Sequence, residues 1–147
     1  MVADDEAGVT MTVNTEKWQK FGETVNASFY EIEPHVLAVV PVDGCTDDEE
    51  SARASIETQL AYLRSKGRRA GIIVFMDPIA EQTAAARAVY KDEPDPVYQA
   101  CFALVGGTFF GRAVGSVFLG LSKPRVPTSM FATFDEAMAW CLTQVMK

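Results

Sequence analysis

A glycine turn late in the chain is the feature best suited to binding an anion. Gly106-Gly107-Thr108 joins two apolar runs, the pattern of a strand that turns into a helix. Backbone N–H groups at the start of a helix attract anions, and Arg112 is the single charge in the run that follows. The turn lacks both the full dinucleotide fingerprint and the P-loop lysine, so a tight turn capped by Thr108 is the simpler interpretation.

The cysteines and the one histidine are the next candidates for chemistry. Cys45 stands just before a predicted helix, where the helix dipole would lower the pKa of its thiol. A cysteine nucleophile also needs a base, and nothing in the sequence brings His35, at a predicted hairpin turn, near Cys45. Cys101 and Cys141 fall on apolar faces and are predicted to pack in the core as reduced thiols. An enzyme is therefore the least favoured class, and we expect no cofactor and no metal.

Composition places the chain among ordinary globular domains. Its 147 residues are 48% hydrophobic and 22% charged, which fits one domain with one core. A net charge of −7 argues against nucleic acid, because nucleic acids bind basic surfaces. The acidic start is unlike a secretory signal, and the longest apolar run, residues 109–121, is too short to span a bilayer. We expect a cytoplasmic protein with a flexible acidic tail at residues 1–8 and a single domain at residues 9–147.

Strand and helix patterns alternate along the chain. Period-two alternation predicts an edge strand at residues 9–13, and a shared apolar face predicts a helix over residues 15–26. A hairpin follows, with its turn at Glu33-Pro34-His35 and a buried second arm at residues 36–42. From there on, four strand and helix pairs predict parallel strands joined by right-handed crossovers.

Capping signals mark the ends of the later helices. Residues 46–49 and residues 133–136 both have the spacing of a capping box, and Gly67 holds the place of a left-handed C-cap. Asp77-Pro78 predicts the start of another helix, because Asp can cap and Pro can take the first helical position.

Two stretches are more apolar than one buried face requires. The strands predicted at residues 36–42, 72–76 and 102–105 are apolar on both faces, so both faces of the sheet must be covered. The candidates for the second cover are the helix at 15–26, a second subunit or a lipid-like ligand. The helix predicted at 109–121 is apolar almost all round, and Phe109 lies off its main stripe beside the smooth edge of Gly111 and Gly115. Such a helix is sandwiched within its own domain or buried by a partner.

The late part of the chain resembles a known family. The segment LVGGTFFGRAVGSVFLGLSKPRVPTSMFATFDEAMAWC, which includes Phe134-Asp135-Glu136-Ala137 and Trp140, resembles the SpoIIAA-like group of the STAS domain superfamily. The Asp that ends the second buried strand, Asp77, and the order of elements agree with this, and the resemblance spans roughly residues 29–142.

The resemblance implies a regulatory role. STAS domains of the anti-sigma factor antagonist type bind a partner kinase and are switched by phosphorylation of a serine soon after that Asp. Within residues 75–86 of this chain no serine follows Asp77, and Thr83 is the one hydroxyl. The phosphorylation switch is therefore not carried over with the fold, and other members of the superfamily serve as ligand-sensing or transporter-attached modules.

We therefore predict one α/β domain of STAS-like type, with a mainly parallel sheet, an initial antiparallel hairpin and helices chiefly on one face. The predicted function is a non-enzymatic regulatory or protein-interaction module, a homodimer that also binds a regulatory protein partner. The alternative is a carrier or sensor of a small ligand, lipid-like or otherwise apolar, or anionic, held beside the helix at 109–121. The candidate partner or ligand surface consists of Asp77, Thr83, Gly106, Gly107, Thr108, Phe109, Gly111, Arg112 and Gly115.

Overall fold

The computed structural model describes residues 13–107 and 124–147, and a six-stranded sheet forms its centre. The strands of this sheet are β1 Gln19–Glu23, β2 Ala27–Glu33, β3 Val36–Pro41, β5 Ala70–Phe75, β7 Gln99–Val105 and β8 Thr128–Phe131. Two short strands, β4 Cys45–Asp47 and β6 Ile79–Gln82, pair in parallel outside it. The helices within the described residues are α1 Glu49–Lys66, α2 Ala84–Asp92 and α3 Phe134–Val145.

The strands of the main sheet lie in chain order, β1-β2-β3-β5-β7-β8. β1, β2 and β3 are antiparallel, and β3, β5, β7 and β8 are parallel. When parallel strands follow one another in chain order, right-handed crossovers place the connecting helices on one face of the sheet. α1 and α2 do pack on a common face. The predicted α/β domain with a mostly parallel sheet and an antiparallel start is confirmed.

Both faces of the sheet are buried, as the apolar strands predict. Side chains alternate along each strand, so Leu37 and Ile72 pack under α1 and α2, whereas Val36 and Ile73 pack on the opposite face. That second face is covered by α3. The cover that we expected from a helix at 15–26, a second subunit or a lipid-like ligand comes from the last helix of the same chain.

The predicted helix over residues 15–26 is wrong. A turn at residues 16–18 leads into β1, which pairs with β2 in the register Gln19↔Glu31. Trp18 packs against Phe75 and Phe134 on the α3 side, and Phe21 stacks on Tyr62 of α1 at 3.8 Å between ring centroids. The two aromatic residues therefore serve opposite faces of the sheet, which one face of a helix cannot do.

Two predicted helix starts are displaced along the chain. α1 is capped by Asp48, whose Oδ1 accepts from the Ser51 N–H at 2.9 Å, rather than by Thr46. The residues after Asp77-Pro78 form β6, and α2 begins only after Thr83. The Gly67 C-cap with φ 63° and the Thr133 N-cap are confirmed.

Some predictions fall on residues that the structure does not describe. These are the tail at residues 1–8, the edge strand at 9–13 apart from its last residue, and the helix at 109–121. Of the helices in residues 13–107 and 124–147, none combines the length and the apolar character that a bilayer crossing requires.

Candidate functional site

Two of the predicted surface residues meet at the carboxyl end of the parallel strands. Asp77 follows β5 and Gly107 follows β7, and the Gly107 N–H donates to Asp77 Oδ2 at 3.0 Å. Gly106 lies beside them, with its N–H donating to the Phe131 carbonyl at 3.0 Å. A carboxylate thus occupies a backbone N–H that a bound anion would need, which argues against an anion at Gly107. Thr108, Phe109, Gly111, Arg112 and Gly115 lie outside the described residues.

Thr83, the other predicted surface residue, belongs to a different part of the molecule. Its Oγ1 accepts from the Ala86 N–H at 3.1 Å and caps α2, and its own N–H donates to the Asp47 carbonyl at 3.0 Å. The hydroxyl is therefore used as a helix cap. Thr83 lies next to a cluster of polar side chains that we did not predict from the sequence.

The cluster is centred on Asp47, the last residue of β4. Only 7% of this residue is exposed. The Tyr90 hydroxyl donates to its carboxylate, at 2.8 Å from Oδ2 and 3.0 Å from Oδ1. Ser51 Oγ lies 3.0 Å from Oδ1, and Gln82 Nε2 donates to Oδ2 at 3.1 Å. One carboxylate thus ties together α2, α1 and β6.

Local structure explains why Asp47 points inward. Asp48 takes the exposed N-cap position of α1. Asp47 still lies in β4, where successive side chains point to opposite sides, so the Asp47 side chain faces the interior. β4 and β6 pair in parallel with Asp47 opposite Gln82, which brings the carboxylate and the amide together.

The carboxylate lies in the wall of a cavity between the main sheet and a roof made of α1, α2, β4 and β6. The volume of this cavity is about 60 Å³. Much of its wall is apolar, formed by Val39, Val74, Met76, Ile79, Phe102 and Leu104. Among the described residues that line the cavity, Asp47 is the only one with a charge.

A polar ladder on α1 continues the wall from Asp47. Ser51, Ser55 and Gln59 follow Asp47 at intervals of four residues. They therefore lie on one face of α1, the face that lines the cavity beside Asp47. Gln59 Nε2 donates to Ser55 Oγ at 3.1 Å, and Gln99 Nε2 donates to Gln59 Oε1 at 2.8 Å. Because Ser55, Gln59 and Gln99 are buried, these hydrogen bonds are what makes their burial tolerable.

Burial governs the titration of the groups in this wall. Burial raises the pKa of Asp47, and hydrogen bonds from Gln82, Tyr90 and Ser51 oppose that rise in part. Burial, together with the negative charge of Asp47, holds the pKa of Tyr90 well above its ordinary value. Tyr90 therefore stays protonated and remains a hydrogen-bond donor to the carboxylate.

The pKa of the Cys45 thiol is not lowered, although its place before a predicted helix had led us to expect a lowered one. Burial, followed by the charge of Asp47, raises the pKa of Cys45. The reason is that Cys45 lies in β4, three residues before the cap of α1, instead of at the helix start. His35 stands at the opposite end of β3, with Nδ1 3.0 Å from the Arg69 carbonyl oxygen, so it cannot serve Cys45 as a base.

The remaining cysteines and acids form no metal centre in the described part of the chain. Cys101 and Cys141 are buried between the sheet and α3, with their Sγ atoms 3.6 Å apart. No group of three His, Cys, Asp or Glu side chains in residues 13–107 and 124–147 could hold a metal ion.

Comparison with known proteins bears on the family. No curated protein and no solved structure matches the sequence significantly. One family model matches residues 30–145, which is 116 of the 147 residues and includes Asp47, Gln82, Tyr90 and all of α1, α2 and α3. The chain belongs to the family whose description is a domain of unknown function, DUF7793.

Proposed function

We propose that this domain is a non-enzymatic regulatory module of STAS-like type that responds to a small ligand held in the Asp47 cavity. The mainly parallel sheet with its antiparallel start supports the STAS-like assignment. The position of the ligand differs from the one expected beside residues 109–121, because the cavity lies under α1 and α2.

The observation that carries the proposal is the buried carboxylate in the cavity wall. Burying an ionised carboxyl group without an opposite charge costs free energy, even when hydrogen bonds satisfy part of it. Asp47 accepts its hydrogen bonds from three neutral groups, those of Tyr90, Ser51 and Gln82. Residues kept against stability are typical of functional sites, and this one faces an open space.

The chemistry of the wall favours binding over catalysis. A nucleophile needs a lowered pKa or an adjacent base, and the pKa values of both Cys45 and Tyr90 are raised. Both groups therefore remain protonated at neutral pH, which suits hydrogen bonding to a ligand.

A partner surface is part of the proposal, since a regulatory module must pass its signal on. Val25 is 94% exposed, and it lies between Thr24 and Asn26, which line the cavity. The Val42 N–H donates to the Asn26 carbonyl at 2.7 Å, and Val42 is also exposed. Occupancy of the cavity would thus be felt at an exposed apolar rim, which we propose as the contact of a homodimer.

Native mass spectrometry of the purified protein tests the proposal. We expect the wild type to be a dimer that carries an extra small mass, lost on denaturation. Asp47→Asn should lose that mass, and the matched control Asp77→Asn should keep it. A wild-type protein that carries no small molecule and is not stabilised against heat by any compound of a metabolite library would overturn the proposal.

A further inference from the structure

We infer that the ligand of the Asp47 cavity is a small primary amine in its ammonium form, carried on a short apolar body. This inference rests on the proposed function of the cavity. It is drawn from the hydrogen-bond acceptors, the charge and the apolar surface that the cavity presents.

The first argument is an excess of acceptors. A carboxylate has about four lone-pair positions, and three donor groups reach the carboxylate of Asp47, the Tyr90 hydroxyl sharing its single hydrogen between the two oxygens. Gln82 Oε1 is buried and has no hydrogen-bond partner among the described residues. Because Gln82 Nε2 donates to Asp47 Oδ2 at 3.1 Å, this unpaired oxygen belongs to a group in direct contact with the carboxylate. A ligand that pairs with this oxygen must therefore bring a donor.

The orientation of the Gln82 amide supports that reading. The opposite orientation would place Oε1 against an ionised Asp47 Oδ2, where two acceptors repel each other. The bond from Nε2 to Oδ2 therefore fixes the amide and leaves Oε1 without a donor. An ammonium group has three N–H donors on one atom, enough to donate to both the Asp47 carboxylate and Gln82 Oε1.

The second argument is charge. None of the described residues that line the cavity is Lys, Arg or His, so the carboxylate has no counter-ion in the wall. Asp48 adds a second negative charge that acts on Asp47. Arg87 of α2, whose buried Nε has no hydrogen-bond partner among the described residues, donates from Nη1 to the Gln82 carbonyl at 2.9 Å and is not part of the cavity wall. An anionic ligand would meet repulsion here, whereas a cation would neutralise the buried charge.

The third argument is the size and polarity of the remaining space. A cavity of about 60 Å³ is larger than a single water requires, so it admits a small body of a few heavy atoms. Met76, Phe102 and Leu104 in the wall would pack against the hydrocarbon part of such a body.

Three probes that differ mainly in their head group test the inference on the wild-type protein. These are n-butylamine, n-butanol and butyrate, titrated by isothermal calorimetry at neutral pH. We expect butylamine to bind at least about tenfold more tightly than butanol, as a charged hydrogen bond implies, and butyrate not to bind. Asp47→Asn should weaken butylamine binding by about tenfold or more, and Asp77→Asn should leave it unchanged.

The outcomes separate this inference from the proposed function. Butanol or butyrate binding as tightly as butylamine would overturn the amine and leave a ligand-binding cavity. The same holds if no probe binds while the purified protein carries a small molecule without an amino group. If no probe binds and no small molecule is carried, both the inference and the proposed function fail.

Discussion

Asp47→Asn is the substitution whose effect on stability follows most directly from the structure. Burial raises the pKa of Asp47 above its ordinary value of 3.8. The folded protein therefore holds a proton on this group more tightly than the unfolded chain does. The ionised group destabilises the fold at every pH above the raised pKa, and this penalty disappears as the pH falls to 3.8.

An asparagine can use the existing partners of Asp47. Its Oδ1 accepts from Tyr90 and Ser51, and its Nδ2 can donate to Gln82 Oε1 once that amide turns over. The substitution removes a buried charge and changes which amide atom of Gln82 lacks a partner, Oε1 before the amide turns and Nε2 after it. It also loses the extra strength of hydrogen bonds to a charged group. We expect the variant to be about 1 kcal/mol more stable than the wild type at neutral pH.

Urea unfolding at a series of pH values measures this difference. The advantage of Asp47→Asn should shrink as the pH falls through the raised pKa towards 3.8. Asp48→Asn is the matched control with the opposite sign. Hydrogen bonds from Ser51 lower the pKa of Asp48, so its charge stabilises the fold at neutral pH and that stabilisation is lost on acidification. If Asp47→Asn is the less stable protein at neutral pH, the hydrogen bonds that the carboxylate accepts outweigh the cost of burying its charge, and the reasoning is refuted.

Three further substitutions test the packing, each by urea unfolding. A Cβ at Gly71 would lie far inside van der Waals contact of Cys141 Sγ, so Gly71→Ala should destabilise the protein by about 3 kcal/mol. The double variant with Cys141→Ala should recover most of that stability, and purely additive effects of the two substitutions would contradict the clash. Thr83→Ala should lose a helix cap worth about 1 kcal/mol and leave the oligomeric state unchanged, whereas phosphate found on Thr83 in cells would contradict a purely capping role. Gln59→Leu should cost about 2 kcal/mol, because it leaves Gln99 Nε2 buried without its acceptor; a neutral effect would mean that Gln99 finds another partner.

The core strands could be predicted because their signal is local. A strand buried on both faces is a continuous apolar run, and the runs that become β3, β5 and β7 are of this kind. The C-cap at Gly67 and the N-cap at Thr133 could be predicted for the same reason, since a cap depends on its own few residues.

β1 could not be predicted because its structure depends on a distant partner. Trp18, Phe21 and Val25 share a face at helical spacing, so the local pattern favours a helix. The antiparallel pairing with β2 and the aromatic contacts on both sides of the sheet decide for a strand. Such tertiary contacts override local propensity.

The Asp47 cluster was missed because its acid has a more ordinary explanation in the sequence. Asp47 looks like one of several acids in the first turn of a helix, where the dipole favours them. Its burial follows from the pairing of β4 with β6, two strands too short to stand out. One signal was present, since Asp47, Ser51, Ser55 and Gln59 recur every four residues beside the apolar stripe of α1.

Side-chain amide NMR of Gln82 tests most directly whether a ligand enters the cavity beside Asp47. The Gln82 Nε2 group donates to Asp47 and lies in the cavity wall, so its two proton resonances report on that contact. We predict that adding butylamine shifts these resonances in the wild type and not in Asp47→Asn. A Gln82 amide that butylamine, butanol and butyrate all leave unmoved, or shifts that cluster instead around Asp77 and Gly107, would contradict the claim.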